Sequence, residues 1–278
     1  MGSKTAGFSL SEVAIVIAIS GLALAGIVPL VTTIADAAKY RAADEALASI
    51  RAALFDFATT HGRLPCPADP TLDLTSGDTL AGRERVDTSS PLTQCLNQSG
   101  PVARGALPFA EIGVPPTDAW GRQYSYWVLS AWSAGGTPRP AEPTLQVWTR
   151  ASPASAPTLA VRDPLVVVVS HGPSGRFGWS ARGIARSSAL PATTDEALND
   201  VRRSIDRFPI ALVDREPTPS DATCGRTDDG ARCGFDHRVA TISRSAATFA
   251  GVEMSTTELA SLSGTTRMGL LMSSESSL

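Results

Sequence analysis

Aromatic side chains make up only 6% of this 278-residue chain. Its interior must therefore be built mainly from Ala, Val, Leu and Ile. Charged residues reach 18%, with a formal net charge of −3. That balance provides no global attraction to nucleic acid or anionic lipid, and no nucleic-acid partner is expected. There is no internal repeat. Neither a GxGxxG nor a GxxxxGK[ST] stretch opens a helix, so no phosphate cradle is encoded. No pair of cysteines has the short C-x2–4-C spacing of a structural zinc site. Punctuation, by contrast, is plentiful. Twenty Pro and 23 Gly predict many turns and long loops rather than a helical bundle.

The four cysteines are Cys66, Cys95, Cys224 and Cys233. An even count fits two disulfides in an oxidising compartment, with three possible pairings. Pairing sequence neighbours is the simplest choice, and four free thiols in a reducing compartment is the competing reading. The N-terminal segment points to export. Val13 to Val31 holds 19 residues without a charge, and Glu12 sits at the edge of the run. A helix of roughly 20 apolar residues spans a bilayer, so Phe8 to about Ala35 is long enough to cross.

Three readings of this segment compete. As a secretory signal, it has Lys4 as the charged region and Ala23-Leu24-Ala25 as a cleavage site. As a plain anchor, it has no use for Glu12. The third reading rests on a set of residues at fixed spacing. A short hydrophilic leader, MGSKTAG, ends in Gly7 and is followed by Phe8 and then SLSE. Counted from Phe8, Glu12 is the fifth residue, Gly21 the fourteenth and Pro29 the twenty-second. In these respects the segment resembles the type IV pilins and pseudopilins. The resemblance implies that a prepilin peptidase cleaves after Gly7 and methylates the new Phe8 amine. It also implies assembly with other pilins or pseudopilins through the N-terminal helix, on an inner-membrane platform. The implied location is the inner membrane, single-pass with the N-terminus cytoplasmic, and the head periplasmic before it enters a filament. An ionised carboxylate in an apolar helix is costly. A neighbour's Phe8 ammonium would offset that cost.

Beyond Ala35, the residues Tyr40, Ala43, Leu47, Ile50, Leu54 and Phe57 recur at alternating spacings of three and four. They form one apolar stripe on a helix. His61-Gly62 and Pro65 end it. Residues 61–105 read as loop, tied down if Cys66 and Cys95 are bonded. Strands are expected at Gln123–Leu129, Thr144–Trp148, Leu165–Val169, Ile210–Val213 and Val239–Ser243. The stretch Asp118-Ala119-Trp120-Gly121 is similar to the D-x-W-G that precedes the first sheet strand in larger pilin-like heads. The expected fold is α+β and pilin-like: a long N-terminal α-helix with a membrane-spanning first half, packed on an antiparallel β-sheet head with long loops and disulfides. The expected divisions are a leader over 1–7, a helix over 8–60 (8–34 spanning, 35–60 amphipathic), and a head over 61–278 with a disordered tail.

Signals for chemistry are sparse. His171 follows the strongest strand in SHGPSGRFGWSARG. There GWSARG misses the GxSxG nucleophile pattern, because Arg182 stands at its last position. The spacing of Cys224, Cys233 and His237 favours a disulfide over zinc. Asp195, Glu196 and Asp200 could offer oxygen ligands to calcium, as in the acidic loop of major pseudopilins. Equally, they are the first turn of a helix capped by Thr194. Arg202, Arg203 and Arg207 read as a solvated face. No catalytic residue and no cofactor other than that calcium is expected. The expected role is structural, as a minor pilin or pseudopilin of a type IV pilus or secretion-type filament. The competing reading is an exported soluble binding protein or hydrolase cut near Ala25.

Overall fold

The computed structural model describes residues 10–89, 94–96, 98–133, 144–151, 155–186, 194–205, 208–218 and 234–243, the side chains at 21–34 and 99 excepted. The chain divides into two compact units, with the boundary between Ala42 and Ala43.

Helix α1, Leu10–His61, contributes to both units. In the first unit its described side chains, at residues 10–20 and 35–42, are exposed except Tyr40, which is half-buried. In the second unit the expected stripe is buried. Ala43, Leu47, Ile50, Leu54 and Phe57 are 6% exposed or less, and Phe55 and Ala58 widen the stripe. The helix ends where His61 Nδ1 meets the Phe57 carbonyl at 3.0 Å and Gly62 takes a left-handed conformation, φ 67°.

The rest of the second unit is mostly strand. Its main sheet contains β3 (Gln98–Ser99), β4 (Val102–Ala106), β6 (Ser125–Leu129), β9 (Pro164–Ser170) and β12 (Arg238–Ser243). They run in the order β12-β9-β6-β4-β3, with every pairing antiparallel. All seven residues of β9 are buried, as its continuous run of four valines requires. Leu47, Ile50, Leu54, Phe55 and Ala58 of α1 share one apolar cluster with Tyr126, Trp127 and Val166–Val169. The sheet thus has a helix to bury its face against. At its edge, Arg238 of β12 donates to both Asp44 oxygens, at 2.8 and 2.6 Å.

A second sheet joins β7 (Leu145–Thr149), β8 (Thr158–Arg162) and β11 (Ile210–Val213) in the order β11-β7-β8. Here β11 runs parallel to β7, with Ile210 opposite Leu145. Two further two-stranded pairs complete the strands. One joins β1 (Val86–Asp87) to β2 (Gln94–Cys95), and the other joins β5 (Arg122–Gln123) to β10 (Trp179–Ser180). Short helices α2 (Phe109–Ile112) and α3 (Asp195–Leu198) and a 3-10 turn at Ser130–Trp132 fill the connections.

Two expectations are corrected. The fold class is mixed α/β, with strands divided among several small sheets, one containing a parallel pair, rather than a spanning helix on one antiparallel sheet. The physical reason is the Pro- and Gly-rich connections, which turn the chain out of the main sheet before it can widen. Among the described residues, moreover, no helix is long and apolar enough to cross a membrane. Single-pass inner-membrane placement with a cytoplasmic N-terminus is therefore not supported.

Cys66 and Cys95 are disulfide-bonded across 29 residues of sequence. They close the loop between α1 and β4. Closing a loop of that length is worth ~3–4 kcal/mol by chain entropy. Cys224, Cys233 and the C-terminal tail lie outside the described residues.

Candidate functional site

Among the described residues of the second unit, a polar cluster gathers where β9 ends and β12 begins, beside Glu196 of α3. It is built around the carbonyl of Arg176. The loop after β9, residues 171–178, folds back so that this oxygen meets His171 Nδ1 at 3.1 Å and His237 Nε2 at 3.2 Å. A carbonyl only accepts, so both contacting nitrogens carry protons. The opposite nitrogens then accept. His171 Nε2 receives the Ser125 hydroxyl at 2.7 Å, and His237 Nδ1 receives the Asn199 amide at 3.3 Å. The two rings stand edge to face, 4.6 Å apart.

Both imidazoles are fully buried. Burial pushes His171 down to about 4, and pushes His237 well below its ordinary value, helped by the neighbouring His171. Each therefore stays neutral at physiological pH. The backbone needed for this loop explains its glycines. At Gly172, φ is 57°, and a Cβ there would lie 2.2 Å from the Asp236 carbonyl oxygen. Only glycine permits that approach.

Helix α3 supplies the acids. Thr194 caps it, its Oγ accepting the Ala197 N–H at 3.2 Å, as the sequence suggested. Glu196 accepts from Arg176 Nη1 at 3.2 Å and from the Asp236 N–H at 3.1 Å. Burial, and then the charge of Asp236, push its carboxyl upward. Asp236 accepts from the Ser174 N–H at 2.8 Å and the Ser174 hydroxyl at 3.1 Å. Asp195 is almost fully buried and lies 2.8 Å from Arg215 Nε and 3.5 Å from Arg150 Nε. Arg215 in turn lies over the Phe235 ring, 4.8 Å from its centre. After the helix, the Asn199 side chain accepts the Val213 N–H and donates to the Val213 carbonyl, at 2.8 and 2.7 Å. This pins α3 to β11.

The expected calcium residues are therefore sent in three directions. Asp195 goes to two arginines, Glu196 to Arg176, and Asp200 to Arg202, at 2.9 and 3.1 Å. Acids already neutralised by guanidinium groups do not fit a cation that seeks six to eight oxygens. Among the described residues, the group of acids and histidines whose ligand atoms lie within 4.8 Å of one another is Glu196, Asp236 and His237. It takes one residue from the expected set and adds two that sequence reasoning did not connect. Each member of this group already has the partners named above.

The remaining candidates fall as follows. Asp118 of the D-x-W-G stretch accepts from the Trp120 and Arg122 amides at 3.0 and 2.9 Å, and from the Ser170 hydroxyl at 2.7 Å. It thereby ties the start of β5 to the end of β9. Burial raises its pKa. The Ser180 hydroxyl accepts the Ile184 N–H at 3.2 Å. Arg203 donates to the Ala211 carbonyl, and Arg207 lies outside the described residues. The Ser125–His171 pair has a hydroxyl-to-imidazole bond, but a backbone carbonyl, not an acid, orients the ring. Both side chains are buried. Of the N-terminal set, Gly7 and Phe8 lie outside the described residues. Glu12, Gly21 and Pro29 lie on α1, and Glu12 is exposed. Beside Glu12, Leu10, Val13, Ile15, Val16, Ile17 and Ile19 are 46–89% exposed.

Asp214, next to this cluster, gives a pH prediction. Burial raises its carboxyl from 3.8 to about 6, against the pull of Arg238. A folded pKa above the unfolded one means that its contribution is fully present below about 3.8 and is lost as pH rises through 6. Asp214→Asn should melt with the wild type at pH 4 and above it at pH 8, by ~1–3 kcal/mol. Thermal melts at the two pH values measure this, and equal melting at pH 8 would refute the assignment.

Comparison with known protein families, with characterised proteins and with solved structures finds no match to this chain.

Proposed function

We propose that the chain is a structural subunit, a minor pilin or pseudopilin, of a pilus- or secretion-type filament, and that it assembles through α1 after cleavage behind Gly7. One observation carries the reading. A helix presents six large aliphatic residues to solvent between Leu10 and Ile19, with a single carboxylate, Glu12, among them. A contiguous apolar surface of this kind marks an interaction site. The Gly7–Phe8 junction and the fixed offsets of Glu12, Gly21 and Pro29 name the kind of partner, which is the same helix of neighbouring subunits. The second unit supports the same role. It is cross-linked by the Cys66–Cys95 disulfide, and its His171 and His237 rings are buried, which suits a stable display head.

The test is Val16→Asp. It places a charge on the apolar face and leaves the second unit untouched. Wild type should be recovered in sheared filament fractions from cells that express a prepilin peptidase. The variant should be absent from those fractions, with the head's melting unchanged. Recovery of both proteins as soluble monomers beginning at Gly26 would instead support an exported binding protein.

A further inference from the structure

A groove of about 370 Å³ opens beside β3 and β4, in the second unit. Arg104, Arg202, Asp69, Gln98, Pro70 and Val201 are among its lining residues. We propose that this groove binds a phosphate monoester of a sugar-sized alcohol. The inference is independent of the filament reading.

The charges select the phosphoryl group. Among the described residues, the guanidinium groups of Arg104, Arg202 and Arg203 share one carboxylate, Asp200. Arg202 holds it directly, at 2.9 and 3.1 Å. Arg104 and Arg203 feel it only at longer range, and burial lowers the pKa of both. Two positive charges remain, which a dianion matches and a monocarboxylate does not. Arg104 is half-buried on β4, and its Nη1 donates to the Arg203 carbonyl. That bond steadies the planar fork and leaves its other donors to a ligand. Asp69 does not oppose an anion, because Arg85 pairs with it at 3.0 Å.

The polar atoms left over accept rather than donate. Gln98 Nε2 is given to the Gly100 carbonyl at 2.9 Å, which leaves Oε1. Asp69 accepts the Thr71 N–H and hydroxyl on Oδ1 and Arg85 on Oδ2. That occupies three of the about four lone-pair sites of a carboxylate. Hydroxyl groups are the complement of such atoms, and Pro70 and Val201 offer apolar surface to a ring. The volume is at the small end of the ~300–1,000 Å³ usual for ligand pockets, enough for one ring and its phosphoryl group.

The probe is glucose 6-phosphate, titrated calorimetrically to about 10 mM against the full chain, the range where weak small-ligand sites saturate. Glucose, glucuronate and inorganic phosphate serve as comparators. Saturable binding is expected, about tenfold tighter for the ester than for glucuronate or inorganic phosphate and undetectable for glucose. Arg104→Gln should weaken the ester about tenfold. Gln98→Leu, which removes one hydroxyl acceptor, should weaken it about threefold. A lack of saturation, glucose or inorganic phosphate that binds as well as the ester, or an unchanged affinity in Arg104→Gln would overturn the proposal. The comparators are read on the wild-type chain, so they decide the matter even if a variant fails to fold.

Discussion

Glu12→Ala should reduce incorporation into filaments by roughly two orders of magnitude while the melting of the head is unchanged. Glu12 precedes Val13 and sits one turn from Ile15 and Val16 on a helix whose described side chains are exposed there. Once neighbouring helices cover that face, the carboxylate loses water. A buried charge without a partner costs several kcal/mol, and removing one member of a buried pair costs ~3–5 kcal/mol because its mate is stranded. In the proposed assembly the mate is the Phe8 ammonium of an adjacent subunit, freed by cleavage after Gly7. Removing Glu12 strands that ammonium, and the quoted cost corresponds to roughly 10²–10⁴ in an equilibrium constant. Glu12→Gln keeps a hydrogen-bond acceptor and should be intermediate. Quantitative blotting of sheared fractions measures the effect. Wild-type incorporation of Glu12→Ala would refute the pairing.

Arg215→Met should cost the second unit ~3–5 kcal/mol. Arg215 is 4% exposed and lies 2.8 Å from Asp195 through Nε. It also donates through Nη1 to the Thr218 hydroxyl at 2.6 Å. Burial lowers its pKa, and the charge of Asp195 opposes that shift. Methionine fills the space against Phe235 but leaves Asp195 buried and served only by the more distant Arg150. At roughly 2–4 °C per kcal/mol for a unit of this size, melting should fall by about 10 °C. Adding Asp195→Asn should recover most of the loss, since the stranded charge then disappears. The double-mutant cycle by calorimetry isolates the pair. A loss of only one or two degrees in the single variant would show that the arginine is not needed there.

What could be read from the sequence follows the range of the interactions. The stripe Tyr40-Ala43-Leu47-Ile50-Leu54-Phe57 is a local pattern, and the structure buries all of it except Tyr40, which is half-buried. The strand at 165–169 announces itself by four consecutive valines. Thr194 as a cap needs only its own helix. Besides the two-residue strands β1, β2, β3 and β10, two five-residue strands were missed, for opposite reasons. β4, VARGA, carries Arg104 and Gly105 in its middle and becomes a strand only by pairing with β6. β8, Thr158–Arg162, does alternate between exposed and half-buried residues, but Pro157 and Asp163-Pro164 on its flanks read as loop. The histidine and carboxylate cluster was invisible in a different way. His171, Glu196, Asn199, Asp236 and His237 come from three separated segments, and no short motif connects them. The parallel pairing of β11 with β7 spans more than sixty residues; it too has no local signature. The spanning helix was overread, since an apolar run fits a protein-covered helix as well as a lipid-covered one.

The most direct test of the central claim is the intact mass of the mature chain recovered from cells that assemble it. A chain that begins at Phe8 and carries one added methyl group is the predicted result. A chain that begins at Gly26, with the apolar segment removed, would contradict it.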